Sequence, residues 1–242
     1  MRRDGRPVPR LHVTSPLGEG VAVALTDNQS HYLARVLRLK QGDGVRLFNG
    51  RDGEWLAAVE SGAVHCREHL RFQTETMGPW LVFAPPKRDR LRFLVEKATE
   101  LGVSRLMPVT TARTEPPAAR ADKMLGWAVE AAEQCCRLDV PICDEQCDLE
   151  AVLEGWTGDR RLLFCDESGG GKAVTEALQG DIAVLVGPEG GFSATERDRL
   201  MAMVTVVPVS LGSNILRIET ASVAALAAWQ VSHDGSCSNS LN

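Results

Sequence analysis

The chain has 242 residues, 44% of them apolar and 24% charged, with a formal net charge of −5. That composition excludes a disordered or fibrous chain, and the length allows one or two domains with a sizeable core. Apolar runs fall short of membrane-spanning length, the N-terminus MRRDGRPVPR lacks the apolar stretch of a secretion signal, and seven cysteines give no even disulfide framework, so a cytoplasmic protein with reduced thiols is expected. Cys135, Cys136, Cys143 and Cys147 crowd together without a C-x-x-C pair, which favours neutral thiols over a metal site.

Residues 1–10 read as a basic arm. Leu11–Val13 and Gly20–Leu25 read as short strands, and Asp27 as the N-cap of a helix Gln29–Leu39 that carries His31, Arg35 and Arg38. Val45–Phe48 and Glu54–Val59 flank an NGRDG turn as a hairpin, and Val64–Thr74 reads as a further strand. A strand-rich block of this length suggests a small barrel. Residues 1–75 carry a net +2 and four of the five histidines, against −7 for the remainder. This asymmetry points weakly to an anionic partner, and a solvated surface explains it equally well. Arg10, Arg35 and Arg38 are candidates to hold phosphates through the planar guanidinium fork, with surface ion pairs as the alternative. His31 reads as a packed or capping histidine.

Met77-Gly78-Pro79 marks a domain join, giving domains 1–76 and 77–242. Beyond it strands and helices alternate: Trp80–Ala84 strand, Asp89–Leu101 helix stopped by Gly102, Arg105–Val109 strand, Ala121–Arg137 helix, Asp148–Trp156 helix, Arg161–Cys165 strand and Lys172–Leu178 helix. This texture predicts a mostly parallel α/β sheet covered on both faces. The polar tail from about residue 232 is expected to be disordered.

Between Asp181 and Trp229, two Val-rich runs, Ile182–Val186 and Val204–Leu211, read as buried strands. One opens into GPEGG and the other into LGSN. Ser193-Ala-Thr-Glu196 is a capping box that starts a helix, and another helix starts near Glu219. Loops at the carboxyl ends of neighbouring strands form the crevice where open α/β sheets bind ligands. No G-x-G-x-x-G occurs, and Gly169-Gly170-Gly171-Lys172 lacks the distant first glycine of a P-loop. Ordinary tight turns would also explain the glycines.

LVGPEGGFSATE followed by LGSNILRIETA resembles the paired signatures of the SPOUT RNA methyltransferases, and more narrowly the bacterial 16S ribosomal RNA uridine-N3 methyltransferases. KRDRLRFLVEKATELGVSRLMPVTTAR (Lys87–Arg113) and EAAEQCCRLDVP (Glu130–Pro141) agree, and HYLARVLR (His31–Arg38) resembles the H-x-x-x-x-V-L-R motif of the family's PUA-like RNA-binding domain. The likeness covers nearly the whole chain. It implies a PUA-like N-terminal barrel, a C-terminal SPOUT domain with a deep trefoil knot, S-adenosylmethionine as cofactor and a homodimer. It implies methylation of N3 of one uridine (U1498) of 16S rRNA in the assembled small ribosomal subunit. A related enzyme acting on another RNA site or a ribose 2′-hydroxyl, and a non-catalytic assembly factor, remain the alternatives.

The resemblance also implies site residues. The cofactor would be held by Cys165, Asp166 and Glu167, by Val186, Gly187, Pro188, Glu189, Gly190 and Gly191, and by Leu211, Gly212, Ile215, Leu216, Thr220 and Ala221. Lys87, Arg113, Gln134 and Arg137 would join Arg10, Arg35 and Arg38 at the RNA. Arg217 and Glu219 are the catalytic candidates. Arg217 could stabilise a developing N3 anion, and Glu219 could orient Arg217, cap the last helix or act as base. The family usually has Arg at Asn214 and often Thr at Ile218, so a cation is missing from this loop.

Overall fold

In the computed structural model, residues 7–60, 63–74, 77–115, 118–167 and 170–234 are described. The chain divides into two units, Met1–Thr76 with Ala132–Val140, and Met77–Ala131 with Pro141–Asn242. Residues 1–6 of the expected arm and 235–242 of the expected tail lie outside the described residues.

The first unit is built on a five-stranded sheet. Its strands are β1 (Arg10–His12), β2 (Ala22–Val23), β3 (Gly44–Phe48), β4 (Glu54–Glu60) and β5 (Ala63–Arg71), in the order β1-β3-β4-β5-β2. β1 runs parallel to β3, and the other pairs are antiparallel. Alternation along β3 puts Val45 and Leu47 into a core with Leu11, Val13, Leu33, Val64 and Cys66. The helix is shorter than expected. α1 (Asp27–His31) is capped one residue earlier, by Thr26, whose hydroxyl accepts from Gln29 N at 3.2 Å while Gln29 Oε1 accepts from Thr26 N at 3.0 Å. It then widens into a π turn over Tyr32–Val36, and Arg38 follows at φ +52°.

Arg10 is the correction with most consequence in this unit. The side chain expected on a phosphate is buried. Its Nε donates to Glu54 Oε1 at 2.6 Å, Nη1 to the Ala132 carbonyl at 2.7 Å and Nη2 to the Arg137 carbonyl at 2.6 Å, and the guanidinium lies 4.4 Å from the centre of the Phe48 ring. The carbonyls near a helix C-terminus lack intrahelical donors, and a cation placed there satisfies them. Ala132, Leu138 and Val140 pack on Phe48, which explains why this returning segment belongs with the first unit.

The second unit comprises β6 (Trp80–Phe83), α2 (Arg88–Glu100), β7 (Arg105–Thr110), most of α3 (Ala121–Cys135), β8 (Ile142–Cys143), β9 (Cys147–Asp148), α4 (Leu149–Glu154), β10 (Arg161–Cys165), β11 (Lys172–Ala173), β12 (Ile182–Val186), α5 (Ala194–Met201), β13 (Val206–Ser210) and α6 (Ile218–Asp234). The sheet runs β11-β13-β10-β12-β6-β7-β8 with every pair parallel. All five residues of β12 are buried, as a strand covered on both faces requires. The expected helix Lys172–Leu178 is instead β11 and one 3₁₀ turn, Val174–Glu176. Pairing with β13 overrides helix propensity there. Gly171 passes so near β13 that a Cβ would lie 2.6 Å from Val209 N. Among the described residues no helix is long and apolar enough to cross a membrane.

Candidate active site

β10 lies between β12 and β13, so their carboxyl ends are neighbours. The segments that leave them enclose a cleft of about 460 Å³. Val186, Leu211, Ile215, Leu216, Ile218 and Ala221 supply its apolar wall. Two glycines give the cleft its shape. A Cβ on Gly187 would lie 2.4 Å from the Phe192 ring. Gly191 has φ +71°, and a Cβ there would meet the Glu167 carboxylate at 1.8 Å. Packing inside the loop requires both glycines, and the Gly191 N–H donates to the Pro188 carbonyl at 2.8 Å.

The polar groups around the cleft are held by specific partners. Asp166 is buried and takes Arg197 bidentately, Nη2 to Oδ2 at 2.7 Å and Nη1 to Oδ1, so its charge is countered within the wall. Burial pushes the Cys165 thiol up to about 12, which keeps it protonated and unreactive. The exit of the glycine loop is the expected capping box. Ser193 Oγ accepts from Glu196 N at 3.2 Å, Glu196 accepts from Ser193 N at 2.8 Å, and its other oxygen accepts from Ala112 N at 2.7 Å. Burial pushes the Glu196 carboxyl up, but hydrogen bonds from the Ala112 and Ser193 backbone outweigh it and hold the group below its ordinary value.

Of the fifteen residues expected around the cofactor, thirteen line this cleft. Gly190 does not line it, and its carbonyl accepts instead from Arg113 Nη1. Thr220 is exposed on α6. The cleft adds Phe164, Phe192, Arg197, Val209, Ser210, Ser213, Asn214 and Ile218. Arg197 had a legible signal, since a buried Asp166 demands a countercharge. The serines carried none.

A second cleft of about 240 Å³ is lined by Arg90, Glu189, Ile215, Leu216 and Arg217, three of which also line the first. Arg217 is exposed. Glu219 is 9% exposed, its Oε1 lies 3.7 Å from Arg90 Nε, and its Oε2 has no hydrogen-bond partner. Arg90 also pairs with Glu189. Sequence reasoning passed over Arg90, although it lies within the Lys87–Arg113 segment. In this unit Lys87 is exposed just ahead of α2, and Arg113 is exposed apart from its bond to Gly190. In the first unit Arg35, Arg38 and Gln134 are exposed, while Arg137 is half-buried with Nε 3.1 Å from Asp139.

Residues 76–230 match the RNA methyltransferase domain family, and residues 25–67 match the RNA methyltransferase PUA domain. A Rickettsia conorii protein named ribosomal RNA small subunit methyltransferase E is 33% identical over 229 residues, 90% of this chain and 93% of its own. The chain belongs to the ribosomal RNA small subunit methyltransferase E family. A Synechocystis methyltransferase E is 33% identical over 217 residues, covering 85% of this chain and 71% of its own. The crystal structure of a Neisseria gonorrhoeae methyltransferase E bound to S-adenosyl methionine superimposes with a TM-score of 0.84 at 27% identity, covering 93% of this chain and 98% of that one. A Legionella pneumophila structure with bound SAM gives 0.81 at 25% identity, covering 94% and 98%. The expected pairing of a PUA-like unit with a parallel-sheet methyltransferase domain is borne out.

Proposed function

We propose that the protein methylates N3 of one uridine of 16S rRNA, U1498 by family resemblance, in the assembled small ribosomal subunit, with S-adenosylmethionine as methyl donor. The observation that carries this reading is the cleft beyond β10, β12 and β13. Its apolar wall and its internally countered Asp166 suit a flat adenine on a ribose better than a polyphosphate. Leu211, Ile215 and Leu216 would face the adenine, with backbone groups of Gly187, Gly212 and Leu216 toward its edge and ribose. When bound, the cofactor supplies a methyl group already activated on a sulfonium.

The protein's own task is then positioning and charge. N3 lies on the Watson–Crick edge, so the target base must be unpaired or flipped to be reached. Removing the N3 proton leaves negative charge on the base, and Arg217, which lines the second cleft, would stabilise it. Glu219 stands in the first turn of α6, where it would position Arg217 or act as the base. Arg35, Arg38, Lys87, Arg113, Gln134 and Arg137 are the proposed RNA contacts. The same reading includes a deep trefoil knot, a homodimer and action in the cytoplasm, where ribosomes are assembled.

The test is methyl transfer from labelled S-adenosylmethionine to unmethylated small subunits, with free rRNA alongside and nucleosides resolved by mass. N3-methyluridine made on subunits is the expected product. A ribose 2′-O-methyl product would replace the reaction, and absence of both transfer and cofactor binding would replace the enzyme with an RNA-binding assembly factor.

A further inference from the structure

We infer that Arg90 is a positioning residue for methyl transfer: it ties the glycine loop after β12 to the first turn of α6 and thereby fixes the second cleft, where Arg217 lies. Its effect on turnover rests on the methyl-transfer reading above, whereas the tie itself does not.

Arg90 stands on a firm base. It lies in the first turn of α2, and Leu91, Leu94, Val95 and Ala98 of that helix are buried. Its guanidinium reaches two carboxylates from different segments. Nη1 meets Glu189 Oε1 in the glycine loop, and Nε lies 3.7 Å from Glu219 Oε1 on α6. The two arms are unequal. The Glu189 side chain is 58% exposed, and exposed pairs contribute little. Glu219 is buried, and Arg90 is the cation within 4 Å of it among the described residues. A buried carboxylate with one oxygen already lacking a hydrogen bond depends on that cation.

Without Arg90, the buried Glu219 carboxylate has lost its countercharge and must turn toward water, which disturbs the first turn of α6, whose Ala221 N donates to the Arg217 carbonyl at 2.8 Å. That turn follows directly on Arg217, which lines the second cleft with Ile215 and Leu216. Lysine keeps the charge but presents one ammonium in place of a fork, so it cannot reproduce both arms.

Two readouts separate the tie from the reaction. The first is hydrogen–deuterium exchange on cofactor-free protein. In Arg90→Ala, amides of residues 187–191 and 218–222 are expected to exchange faster together. In Glu189→Gln, the loop alone loosens. The second is steady-state kinetics on small subunits at saturating cofactor. In Arg90→Ala, kcat is expected to fall about tenfold or more, as loss of alignment does, while KM for subunits stays within about threefold. Arg90→Lys is expected to recover part of kcat, and it replaces Arg90→Ala in both experiments if the alanine variant does not fold. Unchanged exchange in either segment overturns the tie. Faster exchange with wild-type kcat overturns the positioning role. If the wild-type protein methylates no RNA, the methyl-transfer reading has failed, and the exchange data still decide whether Arg90 holds the two segments.

Discussion

Replacing Gly187 by alanine tests the geometry of the cleft most sharply. The added Cβ would sit 2.4 Å from Phe192 Cε2 and 2.9 Å from Cδ2 and Cζ, far inside contact distance. The ring cannot simply swing away, because it packs on the core and edge-on to Phe164, with centroids 5.2 Å apart. Forcing a methyl against a held ring is overpacking, which costs about 1–3 kcal/mol. For a chain of this length that corresponds to a melting temperature lower by roughly 2–12 °C. The loop that lines the cleft shifts with the ring, so cofactor affinity should fall by about tenfold, or ~1.4 kcal/mol. Gly190→Ala is the control three residues along the same loop. Its Cβ would meet nothing nearer than Arg113 Cδ at 3.4 Å, an ordinary contact, so its cost should stay within about 0.5 kcal/mol. Adding Phe192→Leu to Gly187→Ala removes the obstacle, and the pair should couple by about 1 kcal/mol or more. The assays are thermal melting and equilibrium cofactor titration. If Gly187→Ala matched Gly190→Ala in both, the argument from ring contact would be wrong.

Arg217→Ala should keep the fold and cofactor affinity while lowering turnover by about 10²–10³, as loss of one charge-stabilising donor does; single-turnover kinetics on small subunits would measure it. Arg10→Met should cost about 1–3 kcal/mol, because buried Glu54 would lose one of its arginine partners and the carbonyls of 132 and 137 would lose their donor, and urea unfolding monitored through the first unit reads that loss. Burial pushes the Glu54 carboxyl up, but hydrogen bonds from Arg71 and Arg10 outweigh it, so its value is lowered in the fold. A depressed carboxylate contributes stability at higher pH and loses it on acidification, so the first unit should weaken as pH falls below about 4.3, and Arg10→Met should flatten that dependence. Cys165 and Cys143, both pushed up to about 12 chiefly by burial, should resist iodoacetamide at pH 8, whereas the exposed Cys136 should label before either; peptide mass mapping reports the order.

Where an element's pattern is local, the chain displays it openly. Ile182–Val186 is an unbroken apolar run, and it forms a strand with every residue buried. Ser193 and Glu196 carry a capping box in their spacing alone, and the structure contains both of its hydrogen bonds. The thirteen cleft residues were named through the family resemblance, carried by GPEGG and LGSNILRIETA; the alternation of strands and helices by itself indicated only a crevice at one end of the sheet. What was hidden depends on partners distant in the chain. Lys172–Leu178 has helical composition, yet pairing of Lys172 and Ala173 with β13 takes precedence. Arg10 looks like any basic arm residue until Glu54 and the carbonyls of 132 and 137 close around it. Arg90 shows a charge in the sequence, but nothing local reveals partners at Glu189 and Glu219. β8 and β9, two residues each, are too short to leave a period.

The return of Ala132–Val140 to the first unit bears on how the protein is made. Synthesis proceeds from the N-terminus, so all five strands of that unit's sheet leave the ribosome well before the segment that covers Phe48 and receives Arg10. Until Val140 has emerged, the Arg10 guanidinium has Glu54 but none of its carbonyl partners, and one face of Phe48 lacks its apolar cover. The N-terminal unit therefore cannot mature strictly ahead of the catalytic one. The methyltransferase domain must be translated as far as Val140 first, and a gene fragment ending at residue 76 encodes a unit with an open side.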